Sequence, residues 1–585
     1  MKNKFVPVIA SVFSVLLMAE PLQANFEADF APPNLGNSTQ VVLHQSGTPP
    51  LEKQVAGDEV MVYVTEHEDL RNWGSQLALQ PGKPNENLER DPWIFCDSLD
   101  DPECDLDKPD YGPFASTNLG VCLSEEQEDC VASFIVTSNG QRLETEYFGP
   151  IPGAEVFDGE PQMGLFQQGT ASLFRAPSAP HSGGNLYVVS ARVTSNFDPA
   201  IRKFIHTDLY VLINPVSIIQ GSGANCAWSF EGSCGKLEEF PADMAFGIEM
   251  RVTNKLGGWF LGRMKSPDIQ VSKFSAANNL MTISALPVDV ARFAYVTKKA
   301  SLSAADRIAV GNVGGTGNLF TDNPALLGND GFDDSVLGMI SHFKVRVNDT
   351  ATAVTSHWRM RTTSRTAGNA CLSNYDEVLG IVSTNSTAYD GFAPQYKNGF
   401  IDYRVAGLHY APDGQTLNLG TYDLVMRSET ARCLYGFTKA PVSATVTVTG
   451  ADGAENVATT VVSERDGWLK LAAYGFTFSE KEIKVRVTQP QTRTLTAFSR
   501  TATTLTSKQK AEIRATVTKG AANPKFICTG IRLEGQPQAL NTLVRKRAKA
   551  ACDYAKSLNP KLSTFFQTKT TKAASFNGKV LVVSK

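Results

Sequence analysis

KFICTGIRLEGQPQALNTLVRKRAKAACDYAK, residues 525–556, predicts a short buried strand, a glycine-bearing loop and a long basic helix, with cysteines near both ends. Lys525 to Thr529 is a compact apolar run, and Gly530 and Gly535 punctuate the loop. Val544, Ala548, Ala551 and Ala555 recur at helical spacing and share one face. Arg545, Lys546, Arg547 and Lys549 fall on or beside the opposite faces.

Working outward, this segment belongs to a basic end on an acidic chain. Gln491–Lys585 holds 18 Lys+Arg against three acids, a formal +15, which leaves −19 on the rest of the 585 residues. An excess so one-sided costs self-repulsion, so an anionic partner is expected for the basic end. Ordinary hydrophobic and charged fractions (42% and 19%) place the chain among globular proteins, and its length calls for several domains.

Residues 1–24 read as a signal peptide: Lys2 and Lys4 precede an apolar run from Phe5 to Met18, and Ala24 offers a small cleavage residue. The run is shorter than the ~20 residues that span a bilayer, and no later run is long enough. An exported, secreted or cell-envelope protein with no spanning segment in its mature chain is therefore expected. Ten cysteines in such a chain imply disulfides. Cys96/Cys104, Cys122/Cys130 and Cys226/Cys234 share one spacing, and Cys371/Cys433 and Cys528/Cys552 complete an even count. Spacing leaves cross-pairing among the first four open. Cys528 and Cys552 stand on a strand and on the helix expected beside it, and closing that loop is worth about 3.5 kcal/mol on the chain-entropy account.

The chain before residue 489 reads as mainly β, in sandwich-like modules. Val60–Val64, Leu186–Val189 and Leu209–Ile213 are buried-strand runs, and Phe246–Val252 and Met281–Leu286 alternate. The expected units are 25–215, 216–348, 349–440, a small Ig-like module at 441–488, and an α/β unit at 489–585. Asp97–Asp110 is an acidic loop whose Asp101, Glu103, Asp105 and Asp107 alternate. The alternation turns several oxygens one way, as a calcium site would need, but the glycine and terminal glutamate of a calcium loop are missing; a hydrated loop pinned by Cys96 and Cys104 is the expected state, with calcium binding the alternative. Gly311–Gly317 lacks the ending of a phosphate loop.

No nucleophile elbow, zinc helix or unpaired thiol stands out, and no cofactor is called for. His206 and Asp208 are the one close His–Asp pair, an ordinary hydrogen-bonded pair or a metal-binding one. A glycosidase carboxylate pair has no fixed spacing to search for.

The last ~95 residues resemble the OmpA-like peptidoglycan-binding domain. Thr494–Ser499 fits its first strand, and Leu505-Thr506-Ser507 opens a helix with Gln509 placed for a capping box. Phe526–Gly530 fits the second strand and its glycine. Leu543, Arg547-Ala548 and Asp553-Tyr554 fit the helix signature, and Asn577–Val583 fits the terminal strand. The resemblance implies an α/β sandwich with helices on one sheet face. It also implies a ligand pair of aspartate and arginine, of which Arg547 is retained, while Leu533 occupies the aspartate position beside Glu534. The expected ligand set is Arg547 gripping a carboxylate or phosphate and Glu534 opposing it, with Arg532, Arg545, Lys546 and Lys549 supplying field. The expected function is non-enzymatic docking on peptidoglycan or an anionic wall polymer, with the β-rich body displayed. A polysaccharide-acting hydrolase tethered by the same domain is the alternative.

Overall fold

The computed structural model describes residues 38–43, 51–64, 73–82, 93–166, 169–221, 226–230, 232–309, 326–329, 337, 340, 342–363, 369–373, 377–435, 443–450, 455–456, 459–478, 481–488, 491–517 and 525–584. Residues 1–24, read above as a signal peptide, and the glycine-rich stretch 311–317 lie outside them. The described chain is mainly β, with an α/β unit at its C-terminal end.

Gly258–Arg263 (GWFLGR), Val378–Thr384 (VLGIVST) and the middle of Leu419–Arg427 are near-continuous apolar runs, the pattern of strands covered on both faces. They are the centre of the fold. Gly258–Arg263 pairs antiparallel with Ala353–Thr363 and parallel with Val378–Thr384. Val378–Thr384 continues to Leu419–Arg427, which continues to Trp468–Thr477 and Thr459–Arg465. In the other direction Ala353–Thr363 joins Lys203–Gln220 and Leu186–Asp198, and through Val288–Lys298 it reaches Glu59–Val64. We call this continuous network the central sheet.

Each face of its middle carries another sheet. A five-stranded sheet of Gln141–Leu143, Cys130–Ser138, Met244–Thr253, Asn278–Leu286 and Lys265–Lys273 covers one side. Its Phe134, Val136, Phe246, Ile248 and Ile283 share a core with Phe260, Ile381, Val425 and Trp468 of the central sheet. The neighbouring residues Trp259, Leu261, Val382, Leu424, Met426 and Leu469 point the other way. They pack with Ile401, Tyr403, Val405, Ile483 and Val485 of a six-stranded sheet. The strand period of two therefore splits adjacent side chains between two cores, giving three β layers.

These layers run across the boundaries expected from the sequence. Position 215/216 lies inside Lys203–Gln220; Cys130–Ser138 pairs with Met244–Thr253, and Gly258–Arg263 with Ala353–Thr363. The stretch 441–488 is not a separate module either. Ser443–Gly450 and Lys481–Thr488 pair with each other, and Lys481–Thr488 with Phe400–Ala406, whereas Thr459–Arg465 and Trp468–Thr477 belong to the central sheet.

The C-terminal unit has its own sheet, in the order Gln491–Thr494, Val580–Ser584, Lys525–Leu533, Ser563–Thr571. Helices Ser507–Thr516 and Leu540–Leu558 pack on one face of it: Ile513, Ala548, Ala551 and Ala555 meet Phe526, Cys528, Val580 and Val582. Thr506 and Gln509 form the expected capping box. Two details differ from expectation. The first strand is Gln491–Thr494, and the second runs on to Leu533 with Gly530 inside it. Gly530 is there for packing, since a Cβ would strike the Val544 carbonyl of the crossing helix.

All ten cysteines pair: Cys96–Cys104, Cys122–Cys130, Cys226–Cys234, Cys371–Cys433 and Cys528–Cys552. The first four close local loops and do not cross. Such a set fits an oxidising compartment. Among the described residues no helix is long and apolar enough to cross a membrane. Gly530→Ala is expected to lower the unfolding free energy of the C-terminal unit by about 1–3 kcal/mol through overpacking. Denaturant titration of the variant checks this.

Candidate functional site

Arg547 is carried inward by the helix that supplies Ala548 and Ala551 to the core, and it is only 4% exposed. The expectation that it lies on or beside the exposed faces of that helix is corrected. Its Nε donates to the Ala502 carbonyl at 2.8 Å, and one Nη donates to Ser499 at 2.7 Å and to Arg500 at 3.2 Å. The guanidinium also sits 5.1 Å from the Phe498 ring. Burial pulls its pKa down from the ordinary arginine value. Three backbone carbonyls of one loop thus occupy much of the fork that was expected to hold a ligand.

The remaining expected residues are dispersed. Glu534 is exposed and lies 3.8 Å from Lys572, making no ion pair with Arg547. Arg532 is half-buried and donates to the Gln536 carbonyl and to Thr570. Arg545 lies over Phe566, and Lys549 pairs with Asp553 at 2.7 Å, one turn along the helix. Arg545, Lys546 and Lys549 are all exposed. Among the described bases of this unit, Arg547 is the buried one.

In the body, His206 and Asp208 do not pair. Nδ1 of His206 is 2.8 Å from the Ser195 hydroxyl, its ring stacks on Phe166, and Asp208 accepts from Thr362. Burial pushes His206 down to about 4, so it is neutral at physiological pH. In the acidic loop, Asp101 accepts from the backbone of Asp97 and Glu103, and Asp105 accepts from that of Asp107. Asp107 pairs with Arg202. The Asp101 and Asp105 carboxylates thus fold back on their own loop, and no group of three or more acidic, histidine or cysteine side chains forms a metal site among the described residues.

A second cluster has no counterpart in the sequence reading. Along Lys265–Lys273, the register passes from Lys265 opposite Leu286 to Asp268 opposite Ser284, so Ser266 and Pro267 bulge out. Ser266 is exposed and has φ 53°. Positive φ is uncommon for a residue with a side chain, and the following proline narrows its backbone further. A buried carboxylate holds this conformation: Asp423 Oδ2 accepts the Ser266 N–H at 3.1 Å. Its Oδ1 accepts the Tyr474 hydroxyl at 2.5 Å, and that hydroxyl is 2.8 Å from the Ser266 hydroxyl. The central sheet contributes Asp423 and Tyr474 from adjacent strands, Leu419–Arg427 and Trp468–Thr477.

Burial raises Asp423 to about 6; the Tyr474 and Ser266 hydrogen bonds, then Lys265 and Lys470, oppose that rise. Tyr474 is itself held well above the usual phenol range, chiefly by burial and then by the charge of Asp423. Beside Asp423, Ser383 Oγ and Thr421 Oγ1 are buried without a hydrogen-bond partner among the described residues. Lys265 Nζ lies 5.0 Å from the Tyr474 ring, and Lys470 pairs with Asp268 at 3.1 Å. Ser266, Asp423 and Tyr474 are scattered over more than 200 positions, so no spacing betrays them. The one local signal is Lys265-Ser-Pro-Asp268, a polar break at the start of a strand.

No family model matches the chain, and no curated protein matches it.

Arg547→Ala should cost about 1–3 kcal/mol of stability, because its carbonyl partners lose a buried donor. Lys549→Ala should cost under about 0.5 kcal/mol, as an exposed pair; thermal melts compare the two. Asp423 also predicts a pH effect. Its folded pKa lies above the ordinary 3.8, so its contribution to stability is full below that value and is lost as pH rises through about 6. Between those limits stability should fall by about 1.4 kcal/mol per pH unit for this group. Asp129, raised to about 6 by burial, adds in the same direction. Asp423→Asn should remove the Asp423 part of the slope in denaturation midpoints measured from pH 4 to 7.

Proposed function

We propose that the chain is an exported cell-envelope protein whose C-terminal unit docks non-enzymatically on an anionic wall polymer and displays the three-layer β body. The +15 of residues 491–585 carries this reading, together with its placement on the surface. Bases on both helices and on strands of the unit are exposed, among them Arg493, Lys508, Arg514, Lys546 and Lys569. Since backbone carbonyls already engage Arg547, the unit binds through its field rather than through one arginine pocket. Peptidoglycan is the polymer that the OmpA-like resemblance implies, and the order of elements (strand, capped helix, strand, helix, two strands) supports that resemblance. An anionic glycan or teichoic-acid-like polymer fits the charge equally. The opposite sign of the body, −19 in sequence terms, keeps it off the same polymer. The second expectation, a tethered hydrolase, has one specific observation in its favour, the Ser266–Tyr474–Asp423 chain of the body.

The test is sedimentation of the full chain and of segment 489–585 with purified cell wall, before and after its anionic polymers are stripped. Binding should follow the anionic polymer and weaken by roughly tenfold or more from low to high salt, as charges are screened beyond about 8 Å at physiological ionic strength. Affinity that ignores salt would overturn the field-based reading.

A further inference from the structure

The body holds a hydroxyl whose surroundings exceed what a sheet contact needs. Ser266 is exposed, carries positive φ at a bulge and precedes a proline, a combination that persists only where neighbouring structure enforces it. Its hydroxyl begins a directed chain. When Asp423 is ionised it can only accept, so the single Tyr474 proton points at Oδ1 and the Tyr474 oxygen must accept from Ser266. The Ser266 proton therefore has a route to a buried carboxylate 4% exposed. Two further hydroxyls, Ser383 Oγ and Thr421 Oγ1, lie buried beside that carboxylate without partners among the described residues. The charges acting on Asp423 are Lys265 on the bulged strand and Lys470 on the strand that carries Tyr474, and Lys470 in turn pairs with Asp268.

We propose that Ser266 is a nucleophile toward carboxylic esters, with Tyr474 relaying its proton to Asp423. In the first step the Ser266 oxygen bonds to the ester carbonyl carbon, and the bond from that carbon to the alcohol oxygen breaks. The proton passes through Tyr474 to Asp423 and is returned to the departing alcohol oxygen. Water then attacks the acyl carbonyl carbon and passes a proton by the same route to Asp423; the bond from that carbon to the Ser266 oxygen breaks, the proton returns through Tyr474 to that oxygen, and the acid leaves. Ser266 touches the substrate; Tyr474 and Asp423 act through it. This activity belongs to the body and stands independently of how the C-terminal unit docks.

The experiment treats the full chain with a fluorescent fluorophosphonate from pH 4 to 9 and maps the labelled peptide. The Ser266 oxygen replaces fluoride on phosphorus, so the adduct is permanent. Label is expected on the peptide containing Ser266. The rate should climb about tenfold per pH unit up to about 6 and then level, since only ionised Asp423 draws the proton. Ser266→Ala should abolish this label, and Tyr474→Phe should slow it by roughly 100-fold. Because Asp423→Asn can loosen the sheet contact, the pH profile of the unaltered chain decides the role of Asp423. An unlabelled Ser266 in a chain that melts normally overturns the proposal. So does a labelling rate with no step near pH 6, or one that Tyr474→Phe leaves unchanged.

Discussion

Water reaches neither face of the middle of the central sheet, and that constraint shapes the whole body. A strand covered on both sides has no solvent to take an unpaired N–H or C=O, so its ladder must be complete and its polar side chains must be answered. Arg263 shows how. It is fully buried, yet its guanidinium donates to the carbonyls of Thr384, Ser386 and Thr387 and lies 4.3 Å from the Tyr389 ring. Arg359 reaches the Tyr210 hydroxyl in the same way. Both of these buried cations reach oxygen dipoles, and Arg263 a ring face as well. Asp423 meets the opposite problem, a buried anion, and answers it with a hydroxyl and a strained backbone N–H.

That difference separates what could be read from the sequence from what could not. Val60–Val64, Leu186–Val189 and Leu209–Ile213 announce themselves as buried strands, and the face of Val544, Ala548, Ala551 and Ala555 announces the helix. Both signals are local, because side-chain period reports how many faces are covered. Period does not report the partner. Nothing in GWFLGR says that Trp259 and Phe260 serve different cores, or that a strand at 378–384 lies beside it in parallel. Domain boundaries drawn at composition shifts therefore cut through sheets. In the C-terminal unit every pairing partner lies within fewer than a hundred residues, and there both helices, the cap and the cysteine bridge were legible, whereas the strand Ser563–Thr571 was not.

The site residues divide along the same line. The charge of residues 491–585 is a sum and survives any fold, so the sequence states it fully. The role of Arg547 depends on which carbonyls face it, and only the loop at 499–502 reveals that. An arginine flanked by other bases looks like part of a basic surface. Its spacing to Ala548 and Val544 puts it at the edge of the buried face, where its stem packs and its head caps a neighbouring loop. Ser266 lies further from reach still, because its meaning comes from two strands that follow it by some 150 and 200 residues.

Long reach along the chain also sets the order in which the molecule can form. Glu59–Val64 must wait for Val288–Lys298, and Gly258–Arg263 must wait for Ala353–Thr363 and Val378–Thr384, before either has a ladder. The central sheet is not complete until Trp468–Thr477 is available. Contacts of such separation make for slow closure and a long-lived open state rich in strand edges. The C-terminal unit draws its sheet, helices and bridge from fewer than a hundred consecutive residues. The part of the chain made after the body is thus equipped to finish before it, while the body is still searching for its partners.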